Sequence, residues 1–205
     1  MGTAGFFARK KMQTDQKQKR VAVYIDGSNF FYKLRDLDIS NITYFNYRGL
    51  AEWLARDRKI ISKRYYVGVI RAKESDKRGQ ILRKNQVRLF NHLSSRDQDF
   101  IVKQGYLMKN DGIYHEKGVD VKLAVDLLVG AYDNLYDTAI LISSDTDLIP
   151  AIQKVKHLGK EVEYIGFAHK PSLALQRYAT ISRLLINEEI KPFEIPALSK
   201  VKLKK

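Results

Sequence analysis

The feature that most constrains this chain is the alternation of short apolar strands with helical segments along most of its length. Runs rich in β-branched and aromatic residues predict strands at 21–25, 65–70, 100–108, 139–142 and 161–165. Apolar residues at helical spacing predict helices at 30–37, 47–56, 77–93, 120–132, 148–158 and 172–178. This alternation predicts an α/β fold with a mainly parallel central sheet and helices on both faces.

One departure from the parallel pattern is expected between the strand at 100–108 and the helix at 120–132. The turn sequence KNDG at 109–112 is followed by the short run IYHE. A turn of this type sends the chain back antiparallel to the strand before it. The sequence therefore predicts a small hairpin insertion.

The 205 residues suit one domain with tails. We place the domain at 20–187, after a basic and disordered arm at 1–19. The segment from 187 onward contains two prolines and closing lysines, so we expect an irregular basic tail at 188–205. There is no cysteine in the chain, which excludes disulfides and thiolate zinc sites.

The net charge of +14 and the pI near 9.8 favour a polyanionic partner, above all nucleic acid. The alternative is a solvated basic surface with disordered tails. No apolar run reaches the roughly 20 residues of a membrane span. We therefore expect a soluble, cytoplasmic protein without a membrane partner.

Carboxylates follow two of the predicted buried strands. Asp26 ends the first strand, and Asp145 and Asp147 follow the strand at 139–142. Asp120 begins a helix after a Lys-Gly turn. The carboxyl ends of parallel strands share one edge of a sheet, where ligands bind, so these acids are expected to converge there.

Carboxylates that lie so close together repel one another unless a cation neutralises them. Mg²⁺ or Mn²⁺ suits such hard oxygen ligands, so a basic protein with this acidic pocket predicts a metal-dependent nuclease.

Each acid also has a purely structural interpretation. Asp26 and Asp145 can organise turns, and Asp147 can cap the helix whose first turn contains Pro150. Asp120 can complement the helix dipole. Asp126 points away from Asp120 on the same helix, so we expect a structural salt bridge for it.

Neutral and basic side chains near the acids are candidate substrate contacts. Ser28, Asn29 and Ser144 can hydrogen-bond a phosphate, although Ser28 and Asn29 suit helix capping equally well. Lys117 can contact a phosphate or be an exposed turn residue. The run at 30–32 (FFY) can stack bases, but the core interpretation is favoured.

Three motifs in order carry a resemblance to a known family: VYIDGSNFFYKL, EKGVDVKLAVDLL and AILISSDTDLIPAIQKVKHLGKEVEYIGF. With them the chain, from about 21 to 186, resembles the NYN domain, in its LabA-like branch of the PIN-like nuclease superfamily. The resemblance implies a PIN-like (Rossmannoid) α/β sandwich that acts as a divalent-metal ribonuclease or as a nuclease-derived RNA-binding module. It also implies cleavage to a 5′-phosphate and a 3′-hydroxyl.

Carried over by position, the acidic site of the family falls on Asp26, Asp120, Asp145 and Asp147, with Asn29 beside it. Asp26 and Asp145 are the expected main metal ligands. Single-stranded RNA is the expected partner, and a homodimer is left open. The second hypothesis is a non-catalytic RNA-binding or regulatory module that keeps the acids for folding.

Other families that place an aspartate after a strand fit less well. Haloacid-dehalogenase enzymes need a second aspartate where this chain has Ser28, and the MIDAS motif D-x-S-x-S needs serine where it has Phe30.

Overall fold

A seven-stranded sheet with the strand order β4-β3-β2-β1-β5-β6-β7 forms the centre of the molecule. In the computed structural model of the chain, residues 18–110 and 113–196 are described, without the side chains of 107–110 and 113–116. The strands are β1 (Arg20–Asp26), β2 (Lys59–Val69), β3 (Ile101–Asn110), β4 (Ile113–Lys117), β5 (Thr138–Ile142), β6 (Glu161–Phe167) and β7 (Ile181–Leu185).

The helices are α1 (Gly27–Asp36), α2 (Tyr47–Ala55), α3 (Lys77–Leu93), α4 (Val119–Tyr132), α5 (Ile149–His157), α6 (Leu173–Tyr178) and α7 (Asn187–Ile190). Short 3₁₀ helices lie at Ile42–Tyr44, Thr146–Leu148 and Lys191–Phe193. Five strand pairs in the sheet are parallel, and only β4 runs antiparallel to its neighbour β3. The α/β fold with a mainly parallel sheet is therefore confirmed, as is the pairing of the hairpin, whose turn at 111–112 lies outside the described residues.

Two apolar cores lie on opposite faces of the sheet because side chains alternate along each strand. Val23 and Ile25 of β1 face a core built with α1 and α2, whose rings include Phe30 and Phe45. Ala22 and Tyr24 face the other core, which is built with α4, α5 and α6. Both faces of β1 and β5 are covered, which explains why these central strands are continuously apolar.

The segment predicted to be irregular from 187 onward begins with ordered structure. α7 and the 3₁₀ helix after it place Ile190 in the core with no exposed surface, and Phe193 packs against Trp53. The prediction failed because prolines suggest irregular chain, whereas Pro192 occupies the start of a 3₁₀ helix, where its missing N–H costs nothing.

α4 buries only part of its apolar surface. Val121 is 66% exposed, whereas Leu123 and Leu127 are buried. Val121, Val125 and Val129 recur every four residues and form a solvent-facing stripe. Within the described residues, no helix combines the length and the apolar character that crossing a membrane requires.

Candidate active site

Asp26 lies at the carboxyl end of the central strand β1 and is 2% exposed. Its carboxylate accepts a hydrogen bond from the backbone N–H of Asn29 (3.1 Å) and thereby caps α1. The cap of this helix is therefore Asp26, not Ser28 or Asn29 as the sequence predicted. The strand ends and the helix begins on one residue, which explains the abrupt change after VAVYID.

Gly27 allows this tight junction. A Cβ at this position would lie 2.7 Å from the carbonyl oxygen of Tyr66 on the neighbouring strand. A side chain would therefore push α1 away from β2, and the glycine keeps Asp26 at the sheet edge.

A second and a third donor hold the Asp26 carboxylate. Asn29 Nδ2 donates to Oδ2, and Ser143 Oγ donates to the same oxygen at 2.9 Å. Ser143 follows the last paired residue of β5, Ile142, whose partner on β1 is Ile25. The register therefore brings Ser143 level with Asp26, and both side chains are buried.

Ser143 also connects Asp26 to Asp145. The backbone N–H of Asp145 donates to Ser143 Oγ (3.0 Å), so one hydroxyl contacts both acidic residues. Asp145 in turn accepts the N–H of Asp147 (2.9 Å) and caps the 3₁₀ helix Thr146–Leu148. Asp147 does not cap α5 as the sequence suggested, because the N-cap of that helix is Leu148, which makes no side-chain cap hydrogen bond.

Burial raises the pKa of Asp26 above its usual value. The hydrogen bonds from Asn29 and Ser143 lower it, and the charge of Asp145 raises it further. The effect of Asp145 is smaller than that of burial, but its sign shows that the two carboxylates repel each other, a repulsion that a bound cation would relieve.

Asp120 and Asp147 are both exposed. Asp120 lies in the first turn of α4, which starts at the same edge of the sheet but beside β3, where the side chain of Val119 packs against Gly105. Among residues 18–110 and 113–196, no three Asp, Glu or His side chains form a group that could hold a metal ion. The roles of Asp120 and Asp147 as ligands stay predictions.

Of the remaining predicted contacts, Asn29 binds the Asp26 carboxylate directly. Ser28 and Ser144 are half-buried, and Lys117 is exposed at the end of β4. Of the aromatic residues on α1, Phe30 is a core residue as favoured, but Phe31 and Tyr32 are 37% and 61% exposed.

Sequence reasoning missed Ser143 and chose its neighbour Ser144. The signal that identifies Ser143 is strand register. If 21–25 and 138–142 are paired in parallel, the residue after each strand meets the other across the sheet edge.

Asp126 forms the predicted structural salt bridge on α4, away from the pair. Its carboxylate accepts from Tyr66 Oη at 2.7 Å and lies 3.0 Å from Arg64 Nη1 and 3.6 Å from Lys103 Nζ. Burial, followed by the bond to Asp126, raises the pKa of Tyr66. This network fixes α4 on β2 and β3.

Comparison with known proteins gives a family model and a small number of relatives. The model described as the NYN domain matches residues 20–185. The uncharacterized protein MJ0482 of Methanocaldococcus jannaschii is 27% identical over 170 residues, which are 83% of this chain and 57% of that protein. The chain therefore spans only 57% of the length of this curated relative.

Solved structures of similar shape include VPA0982, a protein of unknown function from Vibrio parahaemolyticus. It has a TM-score of 0.61 at 23% identity and covers 87% of this chain and 99% of its own. This likeness shows the fold. Zinc-bound T5 5′-exonuclease is a more remote match. It covers 71% of this chain and 55% of its own, with a TM-score of 0.43 at 14% identity. These matches do not separate branches of the family, so the LabA-like assignment stays a prediction.

Proposed function

Because the chain belongs to the NYN domain family, we propose that it is a divalent-metal-dependent ribonuclease. The observation that carries the proposal is the Asp26–Asp145 pair at the carboxyl edge of a parallel sheet. One serine hydroxyl connects the two residues, since Ser143 Oγ donates to the Asp26 carboxylate and accepts from the backbone N–H of Asp145. Ligands of open α/β sheets bind at this edge. The reaction would be hydrolysis of RNA phosphodiester bonds.

The two carboxylates fit Mg²⁺ or Mn²⁺. An ionised carboxylate has about four lone-pair positions, and protein donors occupy three of those on Asp26. Mg²⁺ is commonly held by one or two carboxylates and completed by waters and substrate phosphates. Asp26 and Asp145 would hold the ion, and Asp120 or Asp147 would complete the site or orient water.

The chain's own residues have distinct tasks in this proposal. Asn29 and Ser143 hold the Asp26 carboxylate in one orientation and favour its ionised form, because their bonds lower its pKa against the effect of burial. When bound, the ion supplies Lewis acidity to the phosphodiester and to the attacking water. The positive net charge of +14 supports a polyanionic substrate.

The test is cleavage of labelled single-stranded RNA with Mn²⁺, with Mg²⁺ and with EDTA. We expect metal-dependent cleavage that Asp26→Asn and Asp145→Asn each reduce by about 100-fold or more, as for loss of a group that stabilises charge in the transition state. Asparagine is also a good N-cap, so both variants should fold. Folding is checked by urea unfolding.

Asp133→Asn is the matched control for this assay. Asp133 is an exposed acid at the other end of α4, next to Asn134, which binds Arg20 at the start of β1. Asp133→Asn removes one negative charge, as each site variant does, and should cleave RNA like the wild type. Cleavage that persists in EDTA, or that survives in both site variants, would contradict the proposal.

A non-catalytic RNA-binding module is the second candidate. It is favoured by the structural use of Asp26 as the cap of α1 and by the absence of a group of three acids within the described part of the chain. It predicts salt-sensitive RNA binding that neither EDTA nor Asp26→Asn weakens, with no cleavage. The cytoplasmic location and a homodimer stay predictions in either case.

A further inference from the structure

Helix α3 concentrates positive charge more than any other described helix. Its sequence, KRGQILRKNQVRLFNHL, contains five lysines and arginines and no aspartate or glutamate. A helix with cations and no balancing carboxylates presents an attractive surface to polyanions.

The basic side chains of α3 are exposed because the helix contacts the protein along a narrow face. Gly79 and Leu93 are its only buried residues, and Gln86, Leu89 and Phe90 are half-buried on the same side. The N-terminus is nevertheless well anchored. Asp76 caps it by accepting from the N–H of Gly79 (2.9 Å), and Gln80 donates to the carbonyl of Ala72.

The position of α3 places this charge beside the carboxylate pair. Gln86 accepts from the N–H of Ile70 and donates to the carbonyl of Gly68, both at 2.8 Å, and so marks the carboxyl end of β2. β2 is the neighbour of β1, and Asp26 is paired with Tyr66 on it. α3 joins the end of β2 to the start of the parallel strand β3, so it runs antiparallel to both. Its nine residues before Gln86 therefore extend about 14 Å beyond this edge of the sheet at 1.5 Å per residue.

Three of the cations share one line on the outer side of α3. At about 100° per residue, Lys77, Lys84 and Arg88 fall within about 40° of one another. We call these three residues the basic ridge. The ridge lies on the side of α3 opposite to Gln86 and Phe90, which face the protein.

We propose that the basic ridge binds the phosphates of a single-stranded nucleic acid and leads the strand to the edge where Asp26 and Asp145 lie. This inference rests on the proposed function for the fate of the strand, but the binding itself does not require cleavage. The positive charge of the ridge favours a polyanion. The part of α3 that extends beyond the sheet edge places that polyanion beside Asp26 and Asp145.

An anionic membrane is the other polyanion that a basic helix can bind. Membrane-surface helices bury one continuous apolar stripe. The exposed apolar residues of α3, namely Ile81, Leu82 and Val87, lie about 100° to 140° apart around the helix and form no stripe. This distribution favours nucleic acid.

The test compares two triple variants in a binding assay without cleavage. Lys77→Gln, Lys84→Gln and Arg88→Gln together remove the ridge. The matched control removes three exposed cations near the opposite edge of the sheet: Arg56→Gln, Lys59→Gln and Arg96→Gln. Binding of labelled oligouridylate is measured by fluorescence anisotropy in EDTA at several KCl concentrations, after urea unfolding has shown that both variants are folded.

We expect the ridge variant to bind about tenfold or more weakly and its slope of log K against log salt to fall by about two, since each single-strand phosphate contact contributes about 0.7. The control should lose much less. Equal losses in both variants, or wild-type affinity in the ridge variant, would overturn the proposal. So would binding to phosphatidylserine vesicles that depends on the ridge when RNA binding does not.

Cleavage measured on the same wild-type preparation separates this proposal from the proposed function. If the wild type binds through the ridge but never cleaves, the ribonuclease proposal fails and the ridge proposal stands.

Discussion

A single buried carboxylate performs two tasks at the edge of this sheet. Asp26 caps α1 through the N–H of Asn29, and it accepts from the hydroxyl of Ser143, which also accepts from the backbone N–H of Asp145. Burial and the charge of Asp145 raise its pKa, and the two neighbouring side chains limit that rise. The fold therefore keeps an acid in an unfavourable environment, which is typical of functional sites.

At this scale we predict that Ser143→Ala raises the pKa of Asp26 further, because it removes a donor to the ionised form. The titration is followed by ¹³C NMR of the carboxyl group. In the folded protein the pKa of Asp26 already exceeds its unfolded value. The carboxyl group therefore stabilises the fold below about pH 4 and loses that contribution as the pH rises through the folded-state pKa.

The added rise should lower the free energy of unfolding at neutral pH by about 1–2 kcal/mol, as measured in urea. It should also move the acid limb of any metal-dependent cleavage to higher pH. Ser144→Ala is the control and should leave the Asp26 titration unchanged. An identical titration in the wild type and Ser143→Ala would refute the assigned role of Ser143.

At the scale of the element, α4 is held to the sheet by polar contacts as well as by its apolar face. Asp126 contacts Tyr66, Arg64 and Lys103, which lie on β2 and β3. Its side chain is 21% exposed and that of Arg64 is 19% exposed, so solvent screens these charges only partly. Asp120 lies on the same helix about 1.7 turns earlier, so the packing of α4 on the sheet determines where that acid lies.

We predict that Asp126→Asn lowers the free energy of unfolding by about 1–3 kcal/mol, because Arg64 and Lys103 lose their shared anion and Tyr66 loses a charged acceptor. Urea unfolding measures the loss. A double-mutant cycle with Tyr66→Phe should give a coupling of about 1 kcal/mol or more. Asp133→Asn on the same helix should change stability by less than about 0.5 kcal/mol, and a similar loss in both variants would contradict the network.

At the scale of the whole molecule, the core extends beyond the family match, which ends at residue 185. Ile190 is fully buried, and Phe193 packs with Phe45 and Trp53. The backbone N–H of Asn46 donates to the carbonyl of Phe193 at 2.9 Å. The C-terminal segment therefore covers the face of the sheet that carries α1 and α2.

We predict that removing residues 187–205 lowers the free energy of unfolding by about 3 kcal/mol or more, since full burial of one large aliphatic side chain alone contributes about 1.5–3 kcal/mol. Removing only 197–205 is the control and should change stability by less than about 0.5 kcal/mol. Urea unfolding of the two truncations decides the matter. Equal stabilities would show that the packed segment contributes nothing.

The sequence by itself determined the order of elements and the family. Alternation of strands and helices depends on local periodicity, and α3 was predicted with the bounds that the structure gives. The NYN assignment from three motifs is confirmed. The placement of Asp26 at a strand end also followed locally, because the apolar run of β1 ends at this residue.

Only the tertiary structure decided which side chains meet. Ser143, rather than Ser144, contacts Asp26 because parallel pairing sets the register of β5 against β1. Val121 is exposed and Ile190 is buried because packing between distant elements, not residue type, determines burial. The distance that α3 extends beyond this edge of the sheet likewise depends on where Gln86 binds the end of β2. These contacts join residues far apart in the chain, and local sequence patterns contain no information about such distances.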